Sequence, residues 1–426
     1  MIQHQSRKVI SWALYDWANS TYATTVMAGF FPVFFKDYWS SDALATTSTF
    51  RLGAANSIAS LVIVLVAPVL GAIADGSGSR KRFLFFFTAM GVVMTGAMSL
   101  VARGEWQMAA FLYVFGTIGF SGGNIFYDSL IVGVAREGQV DLVSALGYAL
   151  GYLGGGLLFL LNVWMTLRPA TFGLASPAEA VQLSFLMVCL WWAAFSIPVF
   201  LFVEEPKRTR ECRGFKAVKA GFQQLGRTLA EIRKLRMVFL FLIGYWLYID
   251  GVDTIVRMAV DYGLSLGFES ESLIVALLLT QFVGFPAAIA FGKIGEKWGP
   301  KRGIFICIAV YIGVTVWAVF LDQVSEFYGI AMAVGLVQGG IQALSRSYYT
   351  RLIPANKTAE FFGFYNMLGK FAAVIGPIMM GWVGVITGSS RLSILSIILL
   401  FVFGGVFLYR VDEVEGRRAA QALERD

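Results

Sequence analysis

Twelve stretches of this chain are each long and apolar enough to cross a lipid bilayer, and no other feature limits its fold so severely. A helix needs about 20 apolar residues to span the hydrocarbon core. Such spans are read at 10–35, 52–74, 83–102, 106–134, 144–165, 180–203, 237–260, 272–292, 303–321, 327–349, 361–386 and 391–410. Many are apolar on all sides, as burial in lipid allows, rather than one-sided like a surface helix. A transmembrane β-barrel would show alternating segments of about ten residues instead. Lipid offers the backbone no water, so helices that satisfy their own hydrogen bonds are expected. With 57% of residues hydrophobic and 14% charged, an ordinary soluble enzyme and a disordered chain are both excluded. The first span carries Asp16 and Asn19 and no small-residue cleavage site, which predicts a retained helix rather than a signal peptide.

Lys and Arg orient the spans. Alternate connections hold 27 of them, including Arg7, Lys8, Arg80–Arg82, the 207–236 stretch, Lys301, Arg302, Arg346 and Arg351, whereas the opposite set holds 5. The positive-inside rule then puts both termini in the cytoplasm. Short loops and the absence of an organelle presequence favour a cell inner membrane. The basic stretch 204–236 divides the spans into a bundle at 1–203 and another at 237–411, with a charged tail at 412–426. Its side chains would rest on anionic lipid headgroups rather than nucleic acid, since nothing nearby resembles a base-reading fold.

The halves repeat one another. GAIADGSGSRKR (71–82) after the second span answers GKIGEKWGPKR (292–302) after the eighth, and SGGNIFYDSL (121–130) answers QGGIQALSRS (338–347). A repeat with an even number of helices keeps its orientation, so the halves are related by an axis along the membrane normal, with a site near the midplane. In the first loop Gly71 allows close helix approach, Asp75 can pair with a base or a helix N-terminus, and Arg80, Lys81 and Arg82 grip the inner face. Gly292, Glu296, Lys301 and Arg302 hold the matching places. Topological anchoring and a gate latch are both open to them.

The twelve-span, six-plus-six pattern with its GxxxD…RKR loop resembles the major facilitator superfamily. WALYDWANSTYAT (12–24), YIDGVDTI (248–255), QGGIQALSRS and EFFGFYNMLGKFAAVIGP (360–377) resemble its branch of fungal vacuolar amino-acid effluxers and related bacterial permeases. The resemblance implies an all-α membrane protein of two pseudo-symmetric six-helix bundles, a secondary transporter, and a latch role for the 71–82 loop. The fifth span, SALGYALGYLGGGLL, lacks the proline of drug antiporters, which argues against multidrug efflux.

Charged residues inside spans face cavities or partners. Four acids, Asp16, Asp128, Asp250 and Asp253, meet two bases, Arg257 and Lys370, so one-to-one pairing is impossible. That excess suits proton coupling, although a wet cavity would also accommodate it. Asp250, Asp253 and Arg257 share one helical face. Asp253 and Arg257 are expected to pair, leaving Asp250 as candidate for a proton or substrate amine. Asp16, Asp128 and Lys370 share a depth and could form an inner-gate network. Asn19, Asn124, Gln281, Gln338, Gln342 and Asn366 supply neutral donors and acceptors, either as interhelical glue or as ligands. Tyr15, Tyr127 and Trp246 could offer an aromatic face to an ammonium.

The expected function is alternating-access transport of a small polar or zwitterionic solute, an amino acid being the best candidate, with protons as the coupling ion. No cofactor, metal or nucleotide is expected: GxxxxGK[ST] is absent, and the single His4 supports neither a catalytic triad nor a metal centre. A monomer is expected. The alternatives are export of amphipathic drug- or lipid-like molecules and, further off, a non-transporting sensor or assembly protein.

Overall fold

A computed structural model describes residues 2–41, 45–136, 138–205, 235–265, 267–371 and 375–425. Among the described residues the regular structure is entirely helical. Helix α1 (Ile2–Thr21) continues through π-helical Tyr22–Phe30, one α turn at Phe31–Phe34 and π-helical Phe35–Trp39. Then follow α2 (Ala45–Ser77), α3 (Arg80–Met98), α4 (Trp106–Val134), α5 (Val140–Leu167) and α6 (Pro177–Phe202). The second half comprises α7 (Arg236–Ser265), α8 (Ser270–Trp298), α9 (Pro300–Val319), α10 (Val324–Leu352), α11 (Thr358–Phe371 and Ile375–Thr387) and α12 (Ser390–Leu395 and Ile397–Tyr409). Ten described helices, α2–α10 and α12, are long and apolar enough to cross a membrane. The other two spans are α1, which changes helical pitch along its length, and α11, described in two pieces. The all-helical architecture is consistent with the twelve-span, two-bundle fold that the hydropathy pattern predicts.

Helix ends carry the expected signals. Ser176 accepts the Glu179 amide at the start of α6, and Gln323 with Glu326 forms a reciprocal cap on α10. α8 and α10 outrun their apolar spans, to Trp298 and Leu352, at the face that carries both termini. We call this the basic face. The tail is also longer in structure than its composition implies: Glu413–Arg425 forms a helix, α13, laid against α7 and α10. Most of the linker, 206–234, lies outside the described residues.

Within each half the helices pack on one another. α1 packs on α5 and α6, and α3 on α4 and α6; in the other half α8 and α9 pack on α10, and α7 on α12. The halves meet where α2 lies against α11 and α5 against α8 and α10. Backbones come unusually close there. A Cβ on Gly71 would collide with the Ala359 carbonyl, and one on Gly363 would stand 2.8 Å from the Ala67 carbonyl. Only glycine permits helices to meet at that range.

Candidate functional site

The seam between the halves encloses a cavity of about 430 Å³, lined by α1, α4 and α5 from one side and by α7, α8, α10 and α11 from the other. It runs from Arg346 at its floor toward Phe327 and Ile330, at the opposite end of α10. The floor is polar and the upper wall apolar, with Ile255, Val256, Leu273, Leu277, Phe327 and Val334. Gly151 and Gly155 on α5 let that helix lie close to Ser20 and Thr24 of α1, which brings α1's polar side to the cavity.

The floor is organised by Arg346, 1% exposed. Its Nη1 donates to Asp128 Oδ1 at 2.9 Å and stands 3.6 Å from Asp16 Oδ2. Nε donates to Ser144 Oγ (2.9 Å) and Nη2 to the Ser144 carbonyl (2.8 Å). The guanidinium also lies over the rings of Tyr148 (4.3 Å), Trp12 (4.9 Å) and Tyr127 (5.6 Å). Tyr127 donates to Asp16 Oδ2 at 2.7 Å, and Asn366 donates to Asp128 Oδ2 at 3.2 Å. Every one of these partners except Asn366 belongs to the first half, whereas Arg346 belongs to the second. Among the described residues, two carboxylates and one guanidinium leave this floor one negative charge in excess when all are ionised.

The expected base for Asp16 and Asp128 was Lys370, and Arg346 was counted among the basic connections. The structure corrects that count: α10 continues to Leu352, and Arg346 turns into the seam. The repeat held a signal for it, because SGGNIFYDSL and QGGIQALSRS set Asp128 beside Ser345 and Arg346. The side chains of Lys370 and Arg257, and with the latter its expected pairing to Asp253, lie outside the described residues. Among the remaining candidates, Asn19, Asn124, Gln281, Gln338, Gln342 and Asn366 line the cavity. Asn19 donates to Asn124 at 2.6 Å, and Tyr152 donates to Gln342 at 3.5 Å across the seam.

Asp250 is placed elsewhere. It is fully buried and accepts from the Gly376 amide (2.8 Å), the Ile375 amide (3.0 Å) and Thr254 Oγ1 (3.2 Å), which joins α7 to α11 within one half, and it is not among the cavity's lining residues. Its backbone donors are fixed, which leaves that carboxylate occupied inside one half. Asp253, half-buried three residues on, is not among the cavity's lining residues either. Tyr15 sits behind the floor, hydrogen-bonded to Thr88 Oγ1 at 2.8 Å and tilted against Tyr127; Trp246 does not line the cavity either.

Below the floor, the 71–82 loop ties the halves together. Arg80 Nη2 lies 2.6 Å from Asp75 Oδ1, and Asp75 Oδ2 accepts the Glu360 amide at 2.8 Å. The carboxylate thus pairs with a base of its own half and caps the first turn of α11 in the other. Lys81 donates to the Phe200 and Val203 carbonyls, both at 2.7 Å, closing the C-terminus of α6. Arg82 is exposed. In the second copy Lys301 donates to the Tyr409 and Val411 carbonyls, both at 2.8 Å, closing α12 in the same way. Gly292 lies against Ala145, while Glu296 and Arg302 are exposed. The seam is therefore closed on the basic face, and the cavity rises away from it.

Residues 45–421 match the family model described as "Vacuole effluxer Atg22 like". The chain is 39% identical to the MFS-type transporter YxiO of Bacillus subtilis over 415 residues, 97% of this chain and 96% of that protein. It is 25% identical to Autophagy-related protein 22 of Yarrowia lipolytica over 465 residues, covering 89% of this chain and 78% of the fungal one. The crystal structure of the human organic anion transporter MFSD10 superposes with a TM-score of 0.71 over 95% of this chain and 99% of that one at 14% identity, a likeness of fold.

Proposed function

The chain belongs to the Atg22-like vacuole effluxer family, within the major facilitator superfamily of membrane transporters, and from that premise we propose that it carries a small zwitterionic solute, an amino acid, by proton-coupled alternating access. The reading places it in the cell inner membrane with both termini cytoplasmic, following the distribution of Lys and Arg.

One observation carries the proposal: Asp16 and Asp128, both on the first half, share a single guanidinium supplied by the second. With the basic face shut, Arg346 compensates most of that charge. If the halves rock apart at this face, Arg346 is withdrawn and both acids stay behind. Two ionised carboxylates in a membrane interior are costly without partners. A substrate ammonium can take one and a proton the other, so having both aboard favours opening. The released Arg346 can then hold the substrate carboxylate, the amides of Asn19, Asn124, Gln338, Gln342 and Asn366 supply directional hydrogen bonds, and the apolar upper wall accepts the side chain. That same wall supports the second reading, an amphipathic drug- or lipid-like cargo.

The test is uptake of labelled amino acids into proteoliposomes with and without an imposed pH gradient, comparing the native protein with Asp128→Asn. Gradient-stimulated accumulation that the variant loses, with substrate exchange retained, is the expected result. Accumulation indifferent to the gradient would remove the proton; movement of amphipathic dyes without amino acids would favour the second reading.

A further inference from the structure

A second chain of charges crosses the seam at the start of α5 and runs out to the tail. Asp141 is fully buried in the first turn of α5. Its Oδ1 accepts from Ser347 Oγ and its Oδ2 from Arg351 Nη2, both at 2.5 Å and both from α10 of the other half. The other arm of Arg351, Nη1, donates to Glu413 Oε1 at 3.1 Å, and Glu413 also accepts from Arg417 at 3.0 Å. Glu413 opens α13. Asp412 Oδ1 caps that helix by accepting the Val414 and Glu415 amides, at 2.8 and 3.1 Å. Gly416 rests on Leu352 and Met237, and Glu424 accepts the Ala355 amide at 2.5 Å. These contacts of the tail helix all fall on α7, α10 and the residues just after α10, so it travels with the second half.

Arg351 thus has two carboxylate partners on opposite sides of the moving seam. One, Asp141, must leave when α5 parts from α10. The other, Glu413, rides with Arg351. A guanidinium that is 19% exposed would lose its buried partner at each opening, and Glu413 stands where it can hold the charge alone. We propose that Glu413 is a positioning residue of the transport cycle, retaining Arg351 when Asp141 releases it and so stabilising the state open on the basic face. This rests on alternating access in the proposed function, but not on the solute or the proton.

The direction of the effect separates this role from simple bracing. If Glu413 serves the open state, its loss favours the closed seam; if it only orients Arg351 toward Asp141, its loss loosens the seam. The experiment uses the full chain with Cys189, Cys212 and Cys307 replaced by Ser and spin labels at Gln139→Cys and Lys297→Cys, two exposed sites flanking the seam from opposite halves. Electron–electron distance distributions without substrate report closed and open populations directly. Glu413→Gln should lower the long-distance fraction about fivefold, and Asp141→Asn should raise it. Glu413→Asp should fall between the native protein and Glu413→Gln, and it serves as the reporter if the latter folds poorly. A rise in the long-distance fraction on Glu413→Gln, or no change, overturns the proposal. Because no solute is present, failure here leaves the amino-acid and proton reading to its own uptake test.

Discussion

The two copies of the loop after the second helix of each half began as one pattern and now do different work. Gly78 and Gly299 both adopt positive φ, +62° and +84°, to turn the chain. Lys81 and Lys301 both reach the last carbonyls of the final helix in their half. The acids part company. Asp75 is 4% exposed, gripped by Arg80 and fastened to α11 across the seam, while Glu296 is exposed. The reason is a single residue. From the turning glycine to the lysine the first copy reads Gly78-Ser79-Arg80-Lys81, and the second Gly299-Pro300-Lys301. The shorter copy keeps the lysine that anchors a helix and lacks the arginine that holds an acid. Anchoring and latching are separable functions of one motif, and only the first copy has both.

That division can be broken experimentally, beginning where the effect is greatest. Asp75→Asn unpairs buried Arg80 and weakens the cap on α11, a loss of about 3 kcal/mol or more for a buried pair. Transport should fall by well over tenfold, with labels on the basic face reporting an opened seam. Lys81→Ala and Lys301→Ala should each lower the thermal midpoint, by an equal amount corresponding to about 1–2 kcal/mol for two charged hydrogen bonds. Unequal losses would mean that the two anchors have also diverged. Gly78→Ala and Gly299→Ala should cost about 1 kcal/mol each in the same assay, because both turns need a left-handed backbone. Glu296→Gln should change stability by less than about 0.5 kcal/mol and leave transport intact. A large defect at Glu296 would return the second copy to latch duty.

How much of this could be read beforehand depended on what kind of signal each residue gives. The spans were legible because lipid demands long apolar helices, and the halves because their loops repeat. Asp75 was legible as an acid suited either to a base or to a helix N-terminus; it meets both. Arg346 was not, since a count of charges per connection cannot distinguish a base that ends a helix from one that turns inward on its last turns. Asp141 was hidden similarly, just ahead of the fifth apolar span. Asp250 looked like a ligand because it is charged inside a span, but the backbone amides of Ile375 and Gly376 claim it. Hydropathy gives depth, and only packing gives direction.

The glycines along α2 and α11 carry one further consequence. At Gly71 and Gly363 main chain meets main chain, with no side chain of either glycine between the helices. Surfaces that mesh like teeth must exchange rotamers to slide, whereas smooth rods can separate and rejoin without friction of that kind. A methyl group at either position would hold the two backbones apart and undo the close approach that joins the halves.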